Sequence, residues 1–229
     1  MRCGLYGKLP SKRDFIAPHA PRRFLDVWEP WMQGALSASR QSLGERWQEA
    51  FLKAPIWRFW LGADLCGATV AGAFMSSLDG VGRYFPLTVF AYADADPPIP
   101  PPELDAHEAW FAAAEEFLLS ALDENISFEA VSAELDRLPP PPERAVAPPS
   151  DGVIMFSDGT VALAHDGPPG VDIFASIRRA DHAGVYAAAT FWWTAGGEGY
   201  QPIAFSGRRM PNPFRFAQML TGEFIVGGI

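Results

Sequence analysis

The sequence is poor in cysteine, with only Cys3 and Cys66 among 229 residues. They stand far apart and form no CxxC, so neither a disulfide framework nor a cysteine zinc cluster is readable, and both are expected as buried, reduced thiols. Positive charge is also scarce: 18 Lys and Arg against 27 Asp and Glu give a formal net charge of -9. The basic residues form no face and no aromatic-basic ladder, which argues against nucleic acid as a partner. Long apolar runs are missing too. The most apolar stretch, VYAAATFWW, is too short to span a bilayer, and MRCGLYGK has no apolar run after its charge. A cytoplasmic protein without a membrane span is expected. No internal repeat and no GxSxG elbow is visible.

What is abundant is apolar and aromatic side chain, 48% and 13% of residues, enough for a sizeable folded core. Two proline clusters, PPIPPP at 97–102 and PPPP at 139–142, divide the chain into blocks. In the first, Phe24, Trp28, Trp31 and Ala35 recur at intervals of three and four, which predicts a helix over PRRFLDVWEPWMQGALSASRQSLG. Pro30 inside that pattern implies a kink or two consecutive helices. A short helix over ERWQEAFLKA should stop before Pro55. Then IWRFWLG, ATVAGAFMSSL and YFPLTVFAYA read as an antiparallel meander. Alternation in the first puts Trp57, Phe59 and Leu61 on one side and Ile56, Arg58 and Trp60 on the other.

The middle block predicts two amphipathic helices, over ELDAHEAWFAAAEEFLLSALDEN and SFEAVSAELDRL. The last predicts a hairpin turning at Asp158-Gly159, strands over VYAAATFWWT and QPIAFSG, and a short helix from near Pro213. This order favours an α+β fold, mainly antiparallel sheet flanked by helices. Residues 1–96 form a first region and 97–229 a second, expected to pack as one compact domain. Adjacent Trp192 and Trp193 point to opposite faces, so either both faces of that strand are covered or one tryptophan is open to a partner.

Catalytic and ligand-binding patterns fail one by one. GLYGKLPSKRDF, residues 4–15, pairs glycines with a lysine but has two residues between Gly4 and Gly7 where a phosphate loop needs four. Leu9 replaces the magnesium hydroxyl, and Pro10 removes a backbone donor. HEAWF, from His107, has Phe111 where a zincin needs its second histidine, and His165 and His182 have only ordinary loop aspartates nearby. DGVGR, Asp79 to Arg83, is similar to the metal-binding turn of metal-dependent protein phosphatases. No second aspartate motif follows, and a turn between strands explains it better. Neither metal nor cofactor is implied. Arg58 and Arg83 lie in apolar surroundings and need either an anion, with Asp14 or Asp79 as candidates, or stacking on Trp60, or a place in a charged patch rimmed by aromatics.

Taken together, GLYGKLPSKRDF, FLDVWEPWMQ, LKAPIWRF, DGVGRYFPL and the late FWW resemble the TagF family, also called ImpM, of bacterial type VI secretion. The resemblance is strongest from Gly4 to Leu87. It implies a longin- or profilin-like arrangement and a non-enzymatic, post-translational repressor that binds the forkhead-associated scaffold protein of the secretion system. Some members carry a fused phosphatase domain, so any phosphatase partner here is expected to be a separate protein. The family's opening motif reads GKLPxxGDF, whereas Arg13 replaces the glycine here; a left-handed turn at that position would be strained by about 1 kcal/mol. Lys8, Arg13, Asp14, Arg58, Asp79 and Arg83 are the candidate partner-binding residues. Lys8 and Asp14 are expected at the surface of a turn, with Trp28, Trp31 and Trp57 supporting from below. The rival readings are a metal-dependent hydrolase using Asp79 and a structural subunit of the secretion apparatus.

Overall fold

The computed structural model describes residues 1–93, 97–123, 125–142, 153–163 and 171–224. The strands are β1 Arg2–Tyr6, β2 Trp57–Leu61, β3 Thr69–Met75, β4 Leu87–Ala93, β5 Val153–Met155, β6 Val161–Leu163, β7 Thr190–Thr194 and β8 Ile203–Gly207. Six form one sheet in the order β1-β4-β3-β2-β7-β8, antiparallel at every pairing, and β5 and β6 form a separate hairpin. The expected meander is β2-β3-β4, and the architecture is α+β.

Helices cover both faces. They are α1 Arg22–Leu43, α2 Trp47–Lys53, α3 Ala63–Cys66, α4 Glu108–Ser120, α5 Phe128–Arg137, α6 Val171–Ala180, α7 His182–Val185 and α8 Arg215–Thr221. On one face α1, α2 and α8 pack a mainly aromatic core, in which Trp28 stacks on Phe59 at 4.3 Å and Phe24 meets Phe90 at 4.0 Å. On the other face α4 and α5 supply Trp110, Phe111, Phe117, Val131 and Leu135. Strand β2 is therefore buried at every residue, with Trp57, Phe59 and Leu61 in the first core and Trp60 in the second. The adjacent tryptophans divide in the same way. Trp192 lies in the first core, and Trp193 packs edge-on against Phe111 at 4.9 Å, so both faces of β7 are covered.

Helix α1 runs unbroken through Pro30, which rules out two consecutive helices. Phe24, Trp28, Trp31 and Ala35 are all buried, whereas Pro30 is exposed, so the missing backbone bond falls on the wet side. Helix α2 stops at Lys53, and Ala54 is extended ahead of Pro55 as expected. Helix α4 starts at Glu108, five residues later than the sequence pattern suggests. Residues 101–105 form a separate turn on the Pro101 carbonyl, and His107 takes a left-handed φ of 48°. Helix α5 begins where Ser127 caps the Ala130 amide. The Asp158-Gly159 hairpin is present, with Gly159 at φ 83°. The strand expected over VYAAATFWWT begins only at Thr190. Val185 ends α7, and the Ala187 and Ala189 carbonyls accept the Asp64 and Gly62 amides at 2.8 Å each. Helices α6 and α7 were not anticipated from the sequence, and His165 lies outside the described residues.

Candidate interaction site: two loops closed on Asp79

β1 ends in a narrow passage. Gly7 adopts φ 138° and exchanges two backbone hydrogen bonds with Ile16, and a Cβ on it would sit 2.1 Å from the Pro86 carbonyl oxygen. At Gly4 a Cβ would meet the Phe90 ring at 2.6 Å. The glycines of GLYGK thus allow close approach of chain segments, as P-loop glycines do, but with protein rather than phosphate on the other side.

The segment from Lys8 to Phe15 then folds against the β3–β4 connection. The Lys8 ammonium donates to Asp79 Oδ2 at 2.8 Å, the Ser77 hydroxyl to the Lys8 carbonyl at 2.7 Å, and the Gly80 amide to the Lys12 carbonyl at 2.8 Å. The Arg83 guanidinium donates to the Arg13 carbonyl. Asp79 organises its own turn as well. Oδ1 accepts the amides of Val81 and Arg83 at 3.1 and 2.9 Å, and Oδ2 accepts Arg83 Nε at 2.7 Å beside Lys8. Each carboxylate oxygen is doubly hydrogen-bonded, which fills its acceptor capacity. Burial alone would raise the Asp79 carboxyl. The Lys8 ammonium and the donors from Arg83 and Val81 outweigh it and hold the group well below the usual carboxylate range.

The hydrogen bonds already made by Asp79 favour the turn reading of DGVGR. A metal-binding Asp79 would have to exchange an ammonium and a guanidinium for the ion, and among the described residues no group of three His, Cys, Asp or Glu is placed to hold one. Asp79 is a turn anchor. Lys8 is inside rather than at the surface, at 6% exposure, because Asp79 neutralises its charge and its ammonium lies 5.1 Å from the Phe15 ring centre. Arg13 avoids the left-handed region altogether: among the described residues only His19 and His107 take positive φ without being glycine.

Five of the six candidate residues therefore meet in one place, and Arg58 does not. It lies on the opposite side of β2, where it bonds Glu108 at 2.7 Å and grips Glu115 through two hydrogen bonds at 2.6 and 3.1 Å, over the Phe111 ring. Its partners are thus neither Asp14 nor Asp79 nor Trp60. Burial pulls its pKa down, and the two glutamates more than offset that and raise it. Trp28, Trp31 and Trp57 belong to the first core; the Trp31 and Trp57 indoles donate to the Pro211 and Met219 carbonyls.

The outer side of the paired loops carries two residues the charge-based reading passed over. Phe15 is 46% exposed and lies parallel to Tyr6 and edge-on to Phe85, and Val81 is 55% exposed at the turn tip. Arg13, Asp14 and Arg83, on the same two loops, are exposed as well. Phe15 sits inside the quoted motif, and its position at the end of a charged run was the available signal. Both cysteines are buried and free, with burial pushing each thiol up to about 11.

Comparison with known proteins agrees with this convergence of motifs. Residues 4–138 match the family model of the TagF N-terminal domain, described as type VI secretion system-associated. The crystal structure of PA0076 from Pseudomonas aeruginosa PAO1 is similar over 99% of this chain and 97% of its own, at 29% identity and a TM-score of 0.75. No curated protein matches. Among the described residues no helix is long and apolar enough to cross a membrane. With its family model covering more than half the residues, and with the motifs of that region locked together in space, the chain belongs to the type VI secretion-associated TagF family.

Proposed function

We propose that this protein is a non-enzymatic, post-translational repressor of type VI secretion that binds the system's forkhead-associated scaffold protein in the cytoplasm, with the paired loops as its contact surface. The observation that carries the contact surface is the exposure of Phe15 and Val81 on two loops tied together at the Asp79 anchor, with Arg13, Asp14 and Arg83 exposed on the same loops. An apolar centre with a charged rim is the usual anatomy of an interface hot spot. Pre-formed loops lower the ordering cost of association. Lys8 and Asp79 act as supports beneath this surface. Arg58, across the sheet, fastens α4 and takes no part in it. The mechanism is occupancy: repression should scale with the concentration of the protein relative to its dissociation constant.

The test is co-precipitation of the tagged chain from its own host, followed by a binding titration with the purified scaffold protein. Phe15→Asp with Val81→Asp should weaken binding by about 30-fold or more, as loss of a central hot spot does, with unfolding unchanged. Failure ever to recover a forkhead-associated protein, or wild-type affinity in the double variant, would overturn the proposal. Stoichiometric retention of the chain in the assembled apparatus would instead identify a structural subunit.

A further inference from the structure

The two edges of the sheet differ. The outer side of β1 is closed, because the Leu5 amide donates to the Pro18 carbonyl and Gly7 and Ile16 bond each other. At the other end β8 pairs with β7, and no described residue pairs with its outer side. In an antiparallel ladder alternate residues of such a strand turn their N–H and C=O groups outward. β8 reads IAFSG, without the charge, proline or bulge that usually guards an edge.

A groove flanks β8 on each face, and Phe205 and Ser206 border both. The first, about 450 Å³, is apolar and floored by Pro102, Phe191 and Trp193. The second, about 320 Å³, is lined by Phe224, Arg209 and Arg215. An added strand alternates its side chains to the two faces, so every second residue would enter each groove. In an acidic chain the charge here is the exception. Arg209 is exposed and in no ion pair among the described residues, its carbonyl accepting the Thr190 hydroxyl; the Arg215 guanidinium bonds the uncharged Gln218. Glu103, which lines the first groove, accepts the Tyr186 hydroxyl, and Arg178 lies against the same tyrosine; none of the described residues lining that groove is a cation.

We propose that the open edge of β8 is a docking site for an extended segment of another protein, which adds as a strand with apolar side chains toward Pro102, Phe191 and Trp193 and acidic ones toward Arg209 and Arg215. Main-chain hydrogen bonds would supply affinity and the two grooves specificity, as in β-strand addition generally. This site stands at the opposite end of the sheet from the paired loops and is independent of the scaffold-binding reading.

The probe is a blocked peptide alternating valine and glutamate, titrated by fluorescence anisotropy against the full chain, with a valine–lysine peptide beside it. The glutamate peptide should bind on the order of tenfold more tightly than the lysine one, Arg209→Glu with Arg215→Glu should reverse that order, and amide exchange should slow across residues 203–207. The Phe15→Asp, Val81→Asp variant should bind the peptide unchanged, which separates failure of this proposal from failure of the loop surface. No binding at millimolar peptide, a preference that survives charge reversal, or no added protection at 203–207 would overturn it. So would sedimentation showing a dimer in which 203–207 are protected without peptide, since the edge would then belong to a second copy.

Discussion

Lys8 and Asp79 are 71 residues apart in sequence and 2.8 Å apart in space, both closed off from solvent. Removing one partner of such a pair strands the other charge, so Asp79→Asn should cost about 3–5 kcal/mol in chemical denaturation. Lys8→Met should cost a comparable amount, and the double variant less than the sum, because the two residues share one interaction. The pH dependence follows from the depressed carboxyl. Its stabilisation is complete above the ordinary aspartate value of about 3.9 and is lost as pH falls below it toward the folded-state value. The stability gap between wild type and Asp79→Asn should therefore be constant near neutrality and narrow below about pH 4; a gap independent of pH would refute the assignment. The turn itself was legible, since Asp-Gly after a strand signals one. Its partner was not, because no local spacing links residue 8 to residue 79.

Helix α1 is where local and tertiary preferences conflict, and the conflict is measurable. Pro30 removes one backbone hydrogen bond from the helix interior, yet the stripe of Phe24, Trp28, Trp31 and Ala35 continues across it into the core. Burial of that stripe outweighs the local penalty. Because Pro30 is exposed and is not one of the buried stripe residues, Pro30→Ala should restore the lost bond and raise stability by about 1–3 kcal/mol, read as a higher denaturation midpoint. No gain would mean that the helix is shaped around the proline. Legibility varied among the elements for similar reasons. Strands β2, β3 and β4 announced themselves through β-branched and aromatic runs between turns. The early start expected for α4 failed because Glu103, Leu104 and Ala106 are good helix formers by themselves, whereas the Pro101 turn and left-handed His107 fix the true boundary. Residues 185–189 misled in the same way: apolar residues beside a strand look like strand, but Val185 closes α7 and the Ala187 and Ala189 amides bond back to the Gly184 and Tyr186 carbonyls as turns.

At the scale of the whole molecule the sheet does not respect the boundary suggested by the proline cluster or by the end of the family match at residue 138. β7 pairs with β2, the Trp192 ring lies 6.0 Å from that of Trp28 and 5.6 Å from that of Phe59, and Phe216, Met219 and Leu220 of α8 complete the same core. None of this pairing was readable from the sequence, where β2 and β7 are separated by more than a hundred residues; only the demand that both faces of Trp192-Trp193 be covered pointed to it. The matched region is therefore expected not to fold on its own. Trp192→Ala should cost about 3–5 kcal/mol through the cavity it leaves. Truncation after residue 138 goes further, since it bares the β2 edge together with Trp31 and Trp57, whose indoles also lose the Pro211 and Met219 carbonyls. The fragment 1–138 should bind a hydrophobic dye and unfold without a cooperative transition, and supplying residues 139–229 as a second chain should restore one. A fragment that melts cooperatively by itself would show that the first core closes without β7 and α8.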